Sequence, residues 1–370
     1  MPRIIISVTN DLSSDQRIKK ICETLDTLNF DIVLIGRNLR NSLPINRNYR
    51  TIRMQLLFNH GFFFYAEYNL RLFFRLLFLK KDILLSNDLD TLLPNFLISK
   101  IFSKKLVYDS HELFTEVPEL KDRSGVRKVW LSIEKNIFPK LKNVYTVNNS
   151  IANYYSEKYD VAVGVIRNIP VKIKNTHIDN ELSNKIKGQK KMLIIIGTGI
   201  NRDRGAEEAV EMMQYIEGTI LYIIGGGDVF KKLKTMIIKL NLTNKVILLH
   251  KMTYQELMEY TKIADLGLSL DKGTNLNYEY SLPNKVFDYI QCNTPILATN
   301  RKEVASLINK NKIGYITTSL DPETLANQVN LIFRNREKYN KIKSNLKIAA
   351  EKYTWKNESE KLKEIYSDLN

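Results

Sequence analysis

Short β-branched runs alternate with longer amphipathic stretches along the whole chain, and this alternation constrains the fold more than any other feature. In the first half the strand candidates are Ile4–Val8, Asp31–Ile35, Ile83–Ser86, Leu106–Tyr108, Val144–Val147 and Gly164–Arg167. In the second half they are Leu193–Ile196, Ile220–Ile224, Val246–Leu249, Leu266–Leu270, Ile296–Ala298 and Gly314–Ile316. These runs are apolar without strict in–out alternation, as parallel strands covered on both faces require. Between them lie helical patterns. Ser13-Ser14-Asp15 can cap a helix whose 3.6-period stripe is Ile18, Ile21, Cys22, Leu25 and Leu28. Ala206–Ile216, Val229–Leu240 and Tyr254–Ala264 follow strands in the same way. Such alternation is the signature of α/β units with right-handed crossovers.

The alternation runs twice, interrupted by a polar stretch rich in Lys and Asn from Pro170 to Lys191. The expected fold is therefore α/β, with two Rossmann-like, doubly wound domains facing each other across a cleft. The first spans residues 1–172 and the second 173–348. The tail, 349–370, reads as a mostly charged helix anchored by Trp355. A chain of 370 residues is long enough for this arrangement.

Several classes are excluded at once. With 44% hydrophobic and 10% aromatic residues the chain is not largely disordered. Cys22 and Cys292 alone do not make a disulfide scaffold, and two Cys with four His do not supply Cys–His metal fingers. Ile4–Val8 is too short for a signal-peptide core. The most apolar stretch, Leu70–Leu79, is broken by Arg71 and Arg75, and no run approaches the roughly 20 residues of a membrane-spanning helix. The chain reads as cytoplasmic.

The charge is uneven. Fifty-six basic and 40 acidic residues leave +16. From Arg37 to Lys81 there are nine basic residues against Glu67 alone, among ten aromatics. Basic residues interleaved with Phe and Tyr suit an anionic membrane surface or a single-stranded nucleic acid groove. They equally suit a solvated helix whose aromatic stripe is core. The overall excess also fits a compositional habit, since Lys, Asn and Ile are frequent throughout.

Open α/β sheets bind ligands beyond the carboxyl ends of their strands, so chemistry is expected in the loops there. Gly197-Thr198-Gly199-Ile200-Asn201-Arg202-Asp203-Arg204-Gly205 leads from a strand into a helix. Its backbone around Gly199 and Asn201 offers N–H groups at a helix start, and Arg204 can fork onto a phosphate. Arg202 stands where the dinucleotide fingerprint needs its third glycine, which argues against a hydride-transfer cofactor. Gly225-Gly226-Gly227-Asp228 ends the next strand, and Gly226 permits close backbone approach. Lys285 and Asp288 share one face of a short helix. A cation and a carboxylate there suit a phosphorylated ribose, one neutralising phosphate and the other accepting sugar hydroxyls. In the first half His111 follows a strand, flanked by Asp109 and Glu112, and is expected to point into the cleft. Asn87-Asp88-Leu89-Asp90-Thr91 follows another strand, with carboxylates that also read as helix caps.

Taken together, five stretches resemble those of a bacterial subgroup of the GT-B glycosyltransferases of retaining family four, the group-one glycosyltransferases. They are Asn10–Arg17, Asn87–Leu92, Tyr108–Phe114, Arg204-Gly205, and Ser281-Leu282-Pro283-Asn284-Lys285 with Asp288 and Pro295. The resemblance implies a nucleotide-diphosphate sugar as donor, no metal and no other cofactor, and a glycan or lipid-linked acceptor. It puts Arg204 and Lys285 on the donor diphosphate and Asp288 on the nucleotide ribose. Backbone N–H groups around Ser281, Leu282 and Asn284 cradle phosphate and sugar, and His111 approaches the donor sugar. It also implies that the C-terminal helix returns to the first domain. The sequence departs from the family where the first of two paired acids should stand, because that position is Tyr280, with Glu279 beside it. A sugar-nucleotide epimerase of the same fold is the alternative. A nucleic-acid-binding protein leaves Arg204, Lys285 and Asp288 without a role, so nucleic acid is not an expected partner.

Overall fold

A computed structural model describes residues 1–121, 123–173 and 178–369. The chain divides into two compact units. One comprises Met1–Asn168, Asn275–Asn277 and Asn357–Asn370, the other Ile169–Thr274 and Tyr278–Lys356. The division falls at 168/169 and 356/357, where the sequence reading drew it at 172/173 and 348/349. Residues 174–177 of the expected boundary stretch lie outside the described residues.

The first unit is built on a seven-stranded parallel sheet. Its strands are β1 (Arg3–Asp11), β2 (Asp31–Arg37), β3 (Arg50–Met54), β4 (Ile83–Asn87), β5 (Lys105–Ser110), β6 (Asn143–Thr146) and β7 (Val163–Val165). They lie in the order β3-β2-β1-β4-β5-β6-β7. Six were expected and β3 was not. Arg50-Thr51-Ile52-Arg53-Met54 carries two arginines and occupies an edge, so it needs none of the continuous apolar character that marks central strands. Helix α1 (Gln16–Thr27) starts at Asp15, whose carboxylate accepts from the Ile18 amide at 3.0 Å. It buries Ile18, Ile21, Cys22 and Leu25 of the expected stripe, while Leu28, the fifth, is half-buried just past the helix end.

Helices α2 (Gly61–Phe78) and α3 (Leu92–Ile101) pack side by side on the opposite face. This follows from chain direction, because β3→β4 and β4→β5 cross the sheet one way and β1→β2 the other. Phe64, Tyr68, Leu72 and Leu76, at every fourth position of α2, form a core with Ile5, Val33, Ile35, Leu84 and Ile98. The Tyr68 hydroxyl donates to the Val8 carbonyl at the heart of this layer.

The second unit has a six-stranded parallel sheet of β8 (Lys191–Gly197), β9 (Thr219–Gly225), β10 (Val246–His250), β11 (Leu266–Ser269), β12 (Ile296–Thr299) and β13 (Gly314–Thr317). Its order is β10-β9-β8-β11-β12-β13, and all six strands were expected.

The tail is two helices rather than one. The helix Arg336–Lys352 buries Ile342, Leu346 and Ala349 in the second unit's core. After a break at Tyr353-Thr354, the helix Trp355–Ser367 joins the first unit. There Tyr366 meets Phe30 edge-on, and the Leu369 carbonyl accepts from Lys105 at 2.7 Å. Residues 349–356 stay behind because Ala349 has already buried its side chain in the other core.

Candidate active site

In the second sheet the strand order reverses between the neighbours β8 and β11. Loops at such a switch point are where an open α/β sheet takes ligands. The loop after β8 ends at Gly205, which has φ +77°, and any Cβ there would overlap the Leu270 carbonyl of the loop after β11. The two loops are thus pressed together. The Lys272 amide donates to the Asp203 carbonyl at 2.8 Å, and the Thr274 hydroxyl to the Asp203 carboxylate at 3.1 Å. This contact sets Arg204 Nη1 2.8 Å from Asp271 Oδ1, with the guanidinium 4.1 Å from the centre of the Tyr278 ring.

Lys285 arrives from a different element, the helix Asn284–Gln291. Gly267 of β11 leaves space for the Tyr289 ring. The Tyr289 hydroxyl lies within hydrogen-bonding distance of the Ile194 and Leu268 carbonyls, at 3.1 and 3.2 Å. Seated in this way, the helix puts Lys285 Nζ 3.1 Å from Asp271 Oδ2. The two expected diphosphate cations, 81 positions apart (285 − 204), therefore meet on one buried carboxylate. Burial alone would raise the Asp271 pKa, but the Lys285 and Arg204 charges hold it below the ordinary value. Burial pushes the Lys285 ammonium down, and Asp271 works against that shift. Nothing in the local sequence pattern singled out Asp271. Its position after a strand was the only available signal.

The remaining residues expected on the donor side play mixed parts. Asn201 Oδ1 accepts from the Asp228 amide at 3.3 Å, and the Ile200 amide donates to the Gly226 carbonyl at 2.7 Å. These bonds tie the two glycine loops together. Gly199 is exposed and Gly226 half-buried. The Ser281 amide and hydroxyl both donate to the Tyr278 carbonyl, at 3.3 and 3.0 Å, so Ser281's N–H is already engaged. Leu282 packs partly on the unit's core, and Asn284 is exposed at the helix start. Asp288, on the helix with Lys285, accepts the Tyr254 hydroxyl at 2.7 Å. Glu279 pairs with Arg301, and Lys302 stands 5.1 Å from the centre of the Tyr280 ring. The helix Ala206–Met212 opens with Glu207 and Glu208. These carboxylates take up the positive end of its dipole, so positive charge at this switch point comes from Arg204 and Lys285 rather than from the helix end.

In the first unit a second charged cluster surrounds the switch point between β1 and β4. His111 is held between two carboxylates, Nδ1 3.1 Å from Asp88 and Nε2 3.1 Å from Asp109, while its amide donates to Asp88 at 2.7 Å. Burial lowers the imidazole pKa, but the Asp88 and Asp109 charges overcome it and raise the pKa to about 9. His111 is thus an imidazolium with both ring nitrogens engaged and 20% of its side chain exposed. Asp88 is no cap. It sits at φ +57° and its side chain serves His111. Behind it, buried Arg17 grips Asp109 with two bonds, 3.0 and 2.7 Å, and donates to the Ile166 carbonyl at 3.0 Å. Asp90 accepts from the Thr9 hydroxyl at 2.5 Å. Glu112 accepts from Asn277 at 2.9 Å, and Asn277 Oδ1 accepts the Leu113 amide at 3.1 Å. Burial raises both the Asp90 and the Glu112 carboxyls to about 7, with the Asp88 charge adding to each shift. The Asn10–Asp15 loop closes on itself, with Asn10 on Asp15 at 2.8 Å and Asp11 accepting from Ser13 and Ser42 at 3.0 and 2.6 Å. Among the described residues no group of three or more His, Cys, Asp or Glu could hold a metal ion.

The Arg37–Lys81 stretch resolves into parts. Arg37 lies over the Phe64 ring, Arg53 pairs with Asp11 and Arg71 with Glu67. Lys81 is buried and donates to the Leu76 and Leu79 carbonyls at the end of α2. Of the aromatics, Phe64 and Tyr68 are core, whereas Phe62, Phe63, Phe74 and Phe78 are exposed. No helix among the described residues is long and apolar enough to cross a membrane.

Residues 178–348 match the family model described as glycosyl transferases group 1. No curated protein matches the sequence. Solved structures do match over the full length. Sucrose-phosphate synthase from Thermosynechococcus elongatus superposes with TM-score 0.83 at 14% identity, covering 100% of this chain and 99% of that one. HepE of Anabaena, in a structure described as a complex with UDP-glucose, gives TM-score 0.75 at 13% identity with 100% of both chains covered. WaaG, described as a glycosyltransferase involved in lipopolysaccharide biosynthesis, gives TM-score 0.72 at 14% identity, covering 97% and 98%. With its two parallel sheets of seven and six strands, the chain has the GT-B glycosyltransferase fold, and its residues 178–348 are similar to the group 1 glycosyl transferases.

Proposed function

We propose that this protein transfers a sugar from a nucleotide-diphosphate sugar to a glycan or lipid-linked acceptor, with retention of anomeric configuration, in the synthesis of a cell-surface polysaccharide or glycolipid. The observation that carries the proposal is the meeting of Arg204 and Lys285 at the switch point of the second sheet. Two cations fixed there are complementary to the charge that grows on a departing diphosphate, the electrostatic form of transition-state stabilisation. Fixed cations cost no reorganisation when the glycosidic bond breaks. HepE structures described with UDP, with UDP and glucose, and with UDP-glucose support the donor class. In this reading Asp288 holds the ribose and releases Tyr254 when the nucleotide binds. His111 supplies positive charge near the donor sugar rather than a ring nitrogen for hydrogen bonding. No metal is required.

The exposed phenylalanines of α2 support contact with an anionic membrane, where a lipid-linked acceptor resides. Phe78 is 82% exposed and Phe63 63%, and Arg71, Arg75 and Lys80 lie on the same helix or just beyond it. Aromatic side chains with flanking cations are the usual composition of a peripheral membrane contact.

A thermal-shift screen with uridine, guanosine, adenosine and cytidine diphosphates and their sugars tests the donor. A ligand that binds only the folded state raises the unfolding midpoint. The expected result is stabilisation by one nucleotide class, abolished in Arg204→Ala and in Lys285→Ala. Near-normal transfer by both variants would overturn the assignment. Incubation with the donor alone is expected to leave its sugar unepimerised. For the membrane, Phe74→Ser with Phe78→Ser is expected to abolish sedimentation with phosphatidylglycerol vesicles, and unchanged sedimentation would remove this part of the reading.

A further inference from the structure

Asp271 is the group on which both cations of the donor site converge, and no part of the reaction proposed above uses it. Its carboxylate is divided, one oxygen toward Arg204 at 2.8 Å and the other toward Lys285 at 3.1 Å, with the Ser269 hydroxyl 3.2 Å from the second. Its backbone is anchored as well. The Asp271 carbonyl accepts from the Thr299 hydroxyl of β12 at 2.6 Å, and its neighbour Leu270 is pressed onto Gly205. The carboxylate cannot follow either cation far, whereas each cation stands on a different element and has no bond to the other.

Two cations placed together without a counter-charge repel, and a buried lysine relieves that repulsion by losing its proton. Burial already pushes Lys285 in that direction, and the charges that bear on it are Asp271 and Arg204, with opposite effect. One carboxylate between two cations leaves a net charge of +1 facing the ligand, enough to attract a diphosphate while keeping both cations in place. We propose that Asp271 is a positioning residue of the donor site, holding Arg204 and Lys285 side by side so that a nucleoside diphosphate meets a preassembled pair. The proposal rests on the reading of Arg204 and Lys285 as diphosphate ligands.

The test is equilibrium binding of uridine diphosphate, or of whichever of the four nucleoside diphosphates the wild type binds, to Asp271→Asn across pH. Loss of the anchor is expected to weaken binding about tenfold at neutral pH, the equivalent of one hydrogen-bonded charge partner. Removal of the opposite charge lowers the Lys285 pKa further, because burial and the Arg204 charge then act on it without Asp271 to oppose them. Binding to the variant should therefore fall by about a further tenfold toward pH 9, while the wild type stays flat. Adding Lys285→Arg to Asp271→Asn is expected to flatten the profile, because a guanidinium keeps its proton. A purely structural role would change neither profile. Should Asp271→Asn fail to fold, Asp271→Glu takes its place. It keeps the charge but displaces it, and is expected to bind more weakly at every pH with a flat profile. Binding by either variant as tight as the wild type's, or tighter, overturns the proposal. Arg204→Ala and Lys285→Ala are measured alongside. If neither weakens nucleotide binding, the donor-site reading itself fails. If both do and Asp271→Asn does not, only the role of Asp271 is lost.

Discussion

Replacing His111 by Gln removes the cation that bridges Asp88 and Asp109. The magnitude follows from the shift in its pKa. An ordinary imidazole titrates at 6.5, and here the two carboxylates raise that to about 9. A group whose folded-state pKa is raised binds its proton more tightly in the folded state. Its contribution is therefore complete below about pH 6.5 and is lost as pH climbs through about 9. At about 1.4 kcal/mol per unit, the contribution is about 3 kcal/mol. The assay is urea unfolding of wild type and His111→Gln at a series of pH values from about 6 to 10. The expected result is a stability difference of about 3 kcal/mol near pH 6 that shrinks steadily toward alkaline pH. Parallel curves, with the difference constant over the whole range, would refute the ion-paired imidazolium and leave His111 as a neutral hydrogen-bonding residue.

Three further outcomes are expected. Arg17→Met leaves Asp109 buried with its main partner gone, which should cost about 3–5 kcal/mol; a loss below about 1 kcal/mol in the same unfolding assay would show that the carboxylate finds another counter-charge. Asp90→Asn should gain on the wild type as pH rises, because the Asp90 pKa is raised to about 7. A raised carboxyl pKa costs folded-state stability that grows between about pH 4 and 7, up to about 4 kcal/mol, so an unchanged gap between acid and neutral pH contradicts the assignment. Gly205→Ala forces a side chain into a left-handed backbone and onto the Leu270 carbonyl. It should cost about 1–3 kcal/mol and weaken nucleotide binding by displacing Arg204 from Asp271, so normal binding would show that the loop contact does not position the arginine.

How much was legible depended on what each residue answers to. Central strands announced themselves because both faces of Ile4–Ile6 or Leu193–Ile196 are buried and must be apolar whatever their partners. β3 stayed hidden because an edge strand with half its surface wet carries no such requirement. The tail read as one helix because the break at Tyr353-Thr354 is made by packing, with Trp355's amide turned to the Pro170 carbonyl at 3.0 Å. Arg204 and Lys285 could be named from their motifs. Asp271 could not, since a single aspartate after a strand is also a common turn residue. Likewise Arg17 and Asp109 stood in quoted motifs without a role, because a bidentate pair 92 positions apart leaves no local trace.

The alternation of short apolar runs and amphipathic stretches determined the class, the two sheets and the loops in which chemistry had to lie, because burial on both faces is a demand that each segment meets within its own residues. Tertiary structure alone decided which charges share a site. Whether Lys285 stands beside Arg204 or apart from it, whether Asp88 caps a helix or holds a histidine, and which residues of the basic stretch face water are settled by partners that arrive from other strands. Electrostatic energy depends on distance and burial, and neither is written in the order of the chain.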